Sequence, residues 1–305
     1  MITGLAGGVG AARFLTGLVK LVDEKKLSII VNTGDDIELF GLHVSPDIDI
    51  VAYTLAGIVD EAKGWGVKGD TFQCLDALRT LGQECWFTLG DRDLATHIFR
   101  TALLKEGRKL SEATAEITRV LGLDAAILPM TDDKFETRIV TSEGAIHFQE
   151  FLVKRGAKDE VFRVEFFGAA TAKPAAGVID AVMKAELVIV CPSNPVVSIG
   201  TILAVQGIRD SLKRADAKKV AVSPIVAGAP VKGPAGKLMK GIGLGVSAYS
   251  VAKLYADFID TFIIDFADSA EKANIEKLGV KVKVANIIMR TLGDKVQLAK
   301  KVLES

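Results

Sequence analysis

MITGLAGGVGAARFLTG, residues 1–17, is the stretch from which the fold is read. Gly4, Gly7, Gly8 and Gly10 stand at its start, and the helix-like run AARFLTGLVKLV follows at once. A backbone without Cβ turns tightly and lets a ligand approach closely. The amides of such a loop, with the positive end of the next helix, suit phosphate or another anion. The dinucleotide fingerprint G-x-G-x-x-G is broken, because Arg13 stands where its third glycine belongs, and the Lys-Ser/Thr of a P-loop is missing. A tight strand-to-helix turn without a ligand is the competing reading of the loop.

Short apolar runs alternating with helical patterns extend this into an α/β chain. LSIIVNTGDD (27–36), ELVIVCPSNP (186–195), KVAVSPIV (219–226), TFIIDFAD (261–268) and VKVKVANIIM (280–289) read as buried parallel strands. Ligands collect at the carboxyl ends of such strands, where Asn32, Thr33, Asp35 and Asp36 would lie. An acidic residue there also suits a ribose, as in nicotinamide enzymes, but the broken fingerprint weakens that reading. Between residues 127 and 167, TRIVTS, AIHFQEFLV and VFRVEFFG alternate as short antiparallel strands. The expected organisation is a Rossmann-like parallel core, residues 1–126 and 174–305, with a smaller β-rich insertion at 127–173 acting as lid or dimer surface.

The 38 basic and 38 acidic residues cancel, so no net field draws the chain to nucleic acid or an anionic membrane. Cys74, Cys85 and Cys191 form no C-x-x-C pair and suggest neither a disulfide framework nor a zinc knuckle. No apolar run reaches the ~18 residues of a membrane span, and a soluble cytoplasmic protein is expected.

Several polar positions carry candidate chemistry. In SPDID (45–49), Pro46 restrains Ser45, Asp47 suits a helix cap, and Asp47 and Asp49 need a cation, a basic group or solvent to offset their repulsion. A hydrated Mg²⁺ needs only one or two such carboxylates plus substrate phosphates. In LGDRDLATH (89–97), Asp91 or Asp93 suits a cap and places Arg92 at a helix mouth, with its fork of donors available to a phosphate or a planar ring. Arg92 ranks above His97, which shares a face with Asp93 and Arg100 and suits a structural role. His147 is one position on a strand. Ser193 and Asn194, between Pro192 and Pro195, can face a ligand, and Lys232 and Lys237 can bring charge to a phosphate.

LAGGVG, VNTGDD, SPDID, LGDRDLATH, ILPMTDD, CPSNPVVSIG and SPIVAGAPVKGPAGKLM fall in one order over nearly the whole chain. Together they resemble the 2-phospho-L-lactate transferase family of coenzyme F420 biosynthesis. The resemblance implies a Rossmann-like core and a Mg²⁺-assisted reaction. In it, the ribityl hydroxyl of the deazaflavin FO attacks a phosphorus of a guanosine diphosphate (GDP)-linked phospholactate or related three-carbon acid, and GMP leaves. By the same analogy Gly7, Gly8, Gly10, Ser193, Asn194, Gly228 and Lys232 belong to the nucleotide and phosphate region, beside Asn32 and Thr33 at the strand end. Asp49 and Arg92 fall to the deazaflavin, and Asp47 and Asp36 to the metal or the attacking hydroxyl. Asp49 is the leading catalytic candidate, and Asp49→Asn is expected to fold normally and lose turnover. A homodimer is expected. A non-catalytic nucleotide- or sugar-nucleotide-binding regulatory protein of the same fold is the second reading, and a nicotinamide dehydrogenase, disfavoured by Arg13, the third.

Overall fold

Residues 1–305 are described by a computed structural model. Seven strands form one parallel sheet: β1 (Ile2–Ala6), β2 (Leu27–Val31), β3 (Ala126–Pro129), β4 (Leu187–Val190), β5 (Lys218–Val222), β6 (Thr261–Ile264) and β7 (Lys281–Val284). Their order across the sheet is β3-β2-β1-β4-β5-β6-β7. The direction of winding therefore reverses between β1 and β4, the doubly wound arrangement in which a crevice opens beyond the carboxyl ends of those two strands.

The continuous apolar runs follow from burial on both faces. Successive residues alternate between two cores: Leu5, Ile30, Val190 and Phe262 enter one, while Ala6, Ile29, Ile189 and Ile263 enter the other. The helix Gly8–Leu18 covers the second face with Phe14, Leu15 and Leu18, against Leu298 and Val302 of the carboxyl-terminal helix Leu292–Leu303. These helices approach so closely that a Cβ on Gly17 would meet the Lys295 carbonyl.

The antiparallel unit consists of Glu136–Thr141, Gly144–His147 and Arg163–Phe167, with a π-helical turn at Glu150–Lys154. Its start differs from expectation. Ala126–Pro129 pairs in register with Ser28–Val31, so these residues are the edge strand of the parallel sheet, and the insertion begins beyond Pro129. Phe135, Ile139, Phe148 and Phe151 of the insertion share the first core with Val178 and Val190, so the unit is fused to one face of the sheet. A second hairpin, Ile37–Leu39 with Leu42–Val44, was not expected from sequence. It carries the chain from the end of β2 to the helix Pro46–Leu55. No helix is long and apolar enough to cross a membrane.

Candidate active site

A cleft of about 1030 Å³ opens at the reversal point between β1 and β4. Its floor is built by the turns that follow the strands. Gly7, Gly8 and Gly10 come from the turn after β1, Asp35 from the turn after β2, Ser193 and Asn194 from the turn after β4, and Ser223 from the end of β5.

Close packing accounts for two of the glycines. A Cβ on Gly7 would lie 2.7 Å from Asp47 Oδ2 and 2.7 Å from Ser198 Cβ, and one on Gly10 would meet the Pro192 carbonyl oxygen. At Gly8 a Cβ would meet only Asp47 Oδ1, at an ordinary 3.6 Å, and it is φ +66°, a left-handed conformation that glycine adopts without cost, that calls for glycine. The loop's amides are partly engaged already. The Gly7 amide donates to Ser193 Oγ at 3.4 Å, and the Gly8 amide faces the Asp47 carboxylate.

Asp47 lies in the first turn of Pro46–Leu55, with Pro46 inside the helix and Ser45 at the N-cap position, so Asp47 is not the cap itself. Positions two apart on an α-helix point roughly 200° away from each other. Asp47 therefore faces the glycine loop while Asp49 faces the helix Asp91–Lys105, and the expected repulsion between them is relieved by separate surroundings. Asn32, fully buried, holds Asp47: its Nδ2 donates to Asp47 Oδ2 at 2.9 Å, and its Oδ1 accepts from the Gly34 amide and Thr201 Oγ1 at 2.8 and 2.7 Å. Burial pushes the Asp47 carboxyl up to about 7, against the Asn32 and Gly8 donors, with the Asp36 charge adding to the rise. Burial raises Asp35 as well, and Asp47 raises it further.

Asp36 stands behind this pair. Its Oδ2 accepts from Ser45 Oγ at 2.7 Å and lies 3.0 Å from His43 Nε2, and it is Asp35, not Asp36, that lines the cleft. Buried oxygens without a partner remain on Asp35 (Oδ1), Asp36 (Oδ1), Thr33 (Oγ1) and Thr137 (Oγ1). His147 bonds the Asp36 carbonyl at 3.1 Å and accepts from the Gln149 amide, which fixes the insertion against the cleft rim.

Asp49 is held in a way its local sequence does not reveal. Its carboxylate takes two hydrogen bonds from Arg100, Nη2 to Oδ1 and Nη1 to Oδ2, the latter at 3.1 Å. Arg100 is fully buried. Burial works against its charge, but Asp49 overcomes that, and the guanidinium stays above its ordinary value. His97 Nδ1 lies 3.2 Å from Arg100 Nη1, His97 Nε2 lies 3.4 Å from Asp93 Oδ1, and Tyr53 Oη donates to Asp93 at 2.8 Å. Burial, then the Asp49 and Asp93 charges, drive the Tyr53 phenol far upward, so it remains a donor. Asp49, Asp93 and His97 place one ligand atom each within 4.8 Å of one another, a group able to hold a metal ion and distinct from the expected Asp47 and Asp36.

Arg92 falls outside the cleft. It is exposed, its amide donates to Asp70 at 2.9 Å, and its guanidinium donates to the Lys68 carbonyl. Nor does Asp91 cap its own helix: it takes the Thr71 hydroxyl and the amides of Gln73 and Cys74, at the start of Gln73–Thr80. Lys232 lines the cleft on the segment after the hairpin Ile225–Val226/Ala229–Pro230, whose turn is made by Gly228 at φ +74°. Asn194 closes its own turn, its Oδ1 accepting from the amides of Val196 and Val197. Arg13 and Arg290, passed over as ligand contacts, also line the cleft.

The family profile of the 2-phospho-L-lactate transferases matches residues 2–297. The chain belongs to that family. It is 44% identical over 300 residues to the 2-phospho-L-lactate transferase of Methanothermobacter thermautotrophicus, covering 98% of this chain and 96% of the relative. It is 42% identical to the enzyme of that name from Methanocaldococcus jannaschii, covering 100% and 97%. A phosphoenolpyruvate transferase of Streptomyces griseus is also 42% identical, over 98% of this chain and 96% of its own. Among solved structures, a UPF0052-family protein from Bacillus halodurans superposes with a TM-score of 0.67 at 15% identity, covering 99% of this chain and 98% of its own, and so shares the fold. Membership makes the chain a transferase of coenzyme F420 biosynthesis.

Proposed function

We propose that the chain transfers a phospho three-carbon acid, 2-phospholactate or a close relative, from a GDP-linked donor to the ribityl hydroxyl of FO. The observation that carries this reading is one cleft lined together by aromatic and apolar side chains, by cations and by buried carboxylates. Tyr53, Phe87, Leu89, Phe148 and Leu152 give it apolar, aromatic lining suited to a flat tricyclic ring. Arg13, Lys232 and Arg290 give it positive charge suited to phosphates. Asp47 lies at the glycine loop, with Asp35 close enough to feel its charge.

In the reaction the FO hydroxyl oxygen bonds to the phosphorus that carries the acid, the bond from that phosphorus to the GMP oxygen breaks, and GMP leaves. The product is a phosphodiester joining FO to the acid, and the hydroxyl proton passes to a base. Asp47 suits that role, because its carboxyl, raised to about 7, matches the operating pH of a general base and is positioned by Asn32. Phosphoryl transfer otherwise asks for alignment and charge neutralisation, so no covalent nucleophile is required. The Asp49–Arg100 pair, with His97 and Asp93 behind it, fixes an anionic side chain in the cleft wall for the acceptor's hydroxyls.

Buried carboxylate oxygens without donors, on Asp35 and beside it on Asp36, fit a hard divalent cation. Asp35 would hold Mg²⁺, which would neutralise charge on the transferring phosphate while Asp47 stays free to take the proton. The Asp49 group is less open to it, since Arg100 occupies both Asp49 oxygens.

Guanine nucleotide is expected to bind more tightly than adenine nucleotide, by about tenfold or more, equivalent to roughly 1.4 kcal/mol. Calorimetric titration with GDP and ADP measures the difference, and equal affinities would count against a guanosine-linked donor.

A further inference from the structure

Two side-chain amides of the chain are buried, Asn32 and Gln149, and their surroundings differ. Asn32 is saturated: its nitrogen donates to Asp47, and its oxygen accepts from the Gly34 amide and the Thr201 hydroxyl. Gln149 is 4% exposed, and the oxygen and nitrogen of its side chain bond to nothing in the protein. Unlike the orphaned oxygens of Thr33, Asp35 and Thr137, these two atoms keep access to open space, and the space that Gln149 lines is the cleft. A buried amide without a partner is costly, and the cost is offset when water or a ligand supplies the missing bonds.

The local chain holds that amide in place. The Gln149 main-chain N–H donates to His147 Nδ1 at 3.1 Å, so the ring proton is on Nε2, which donates to the Asp36 carbonyl at 3.1 Å. Burial holds the His147 ring below its ordinary value and so keeps it in this neutral form. Beyond Gln149 the chain makes the π-helical turn Glu150–Lys154, a rare geometry found frequently at functional sites. Phe151 of that turn enters the core, its ring 6.3 Å from that of Phe148, while Leu152 and Val153 line the cleft with Gln149. One group with a donor and an acceptor is thus set among apolar side chains, the arrangement that fixes a ligand's orientation.

We propose that Gln149 selects the acceptor ring, its side-chain amide pairing with a ring edge that presents N–H beside C=O. A deazaflavin carries such an edge on its pyrimidinedione: the Gln149 oxygen accepts from the ring N–H, and the Gln149 nitrogen donates to the adjoining carbonyl. The inference rests on the reading of the chain as a transferase acting on FO. Guanine presents an N–H and C=O pair as well, but Phe148, Leu152 and Val153 around the amide suit the broad apolar faces of a tricyclic ring. A site built to bond a polar group rejects an analogue that lacks it far more strongly than an apolar pocket rejects an extra methyl.

FO, and FO methylated at the pyrimidinedione nitrogen, titrated into the wild type, Gln149→Leu and Gln149→Ala test the pairing. The wild type is expected to bind FO about tenfold or more tightly than the methylated analogue. Both variants are expected to bind the two alike, with FO weakened by about tenfold or more, GDP affinity unchanged and, for the similarly sized leucine, the melting temperature held. FO affinity equal to that of the wild type, or a methyl penalty that survives in both variants, overturns the proposal. A loss of GDP affinity with FO unaffected also overturns it and gives the amide to guanine. A wild type that binds no FO removes the transferase reading and this inference with it, whereas FO bound equally by wild type and variants removes the inference alone.

Discussion

Asp47→Asn is expected to abolish measurable transfer, with turnover down by about 10²-fold or more, while making the folded protein more stable. Asn preserves the shape and one acceptor for Asn32 Nδ2, so the local packing survives. What it removes is a charge buried against Asp35 and Asp36. Burial pushes the Asp47 carboxyl up to about 7 in the folded protein, against the 3.8 of a solvated aspartate in the unfolded chain. Between those limits the folded protein keeps a proton that the unfolded chain has lost, so Asp47's contribution to stability falls as pH rises through that window and is constant above it. Asp47→Asn should lose that slope and gain about 1–3 kcal/mol relative to wild type at pH 8. Melting curves at pH 5 and pH 8 beside initial rates separate the effects. A variant with near wild-type turnover would remove Asp47 as the base, and an unchanged pH slope would show that its burial carries no titration penalty.

Asp49→Asn is expected to lower stability by about 3–5 kcal/mol, because it leaves Arg100 charged, fully buried and without a counter-ion. For a chain of this size that is a fall of roughly 5–15 °C in melting temperature. The Arg100 pair thus argues against the expectation that this variant is as stable as the wild type. Loss of transfer by Asp49→Asn therefore needs reading beside its melting curve, and FO affinity measured well below the melting temperature reports on the acceptor role. Melting unchanged from wild type would contradict the strength assigned to the Asp49–Arg100 pair.

The two aspartates also show where sequence reading succeeds and stops. Strands announce themselves as apolar runs bounded by polar turns, so LSIIV, LVIV, KKVAV, TFII and KVKV of the parallel sheet were legible, and with them the cleft at their ends. The edge strand AILP was assigned to the insertion because it is only four residues long and its neighbours alternate. The hairpin of residues 37–44 was missed because its turn places Phe40 at φ +54°, a conformation that no Phe-Gly pair advertises. Of the residues singled out from sequence, Asp47, Asp49, Ser193 and Lys232 line the cleft, the two aspartates from the first turn of a helix and the other two from loops, while Asn32 lies behind it and holds Asp47. Arg100 was not singled out, since its partner is 51 positions away and only the packing of two helices joins them. A signal did exist: Asp93, His97 and Arg100 recur at four and three residues along one helix face, and that face is the buried one. Arg92 attracted attention as a helix-mouth cation, but Asp70 and the Lys68 carbonyl hold it at the surface. Arg13 was read only as a broken fingerprint, although a cation in place of the third glycine is itself a statement about the ligand.

The central claim is tested most directly by incubating the wild-type protein with FO, a GDP-linked phospho three-carbon acid and Mg²⁺, and following phosphorus resonances and deazaflavin mass together. The account predicts a phosphodiester of FO with the acid, formed one for one with GMP. Release of inorganic phosphate or free phospho acid with FO unchanged, or no turnover in a protein that binds both ligands, would contradict it.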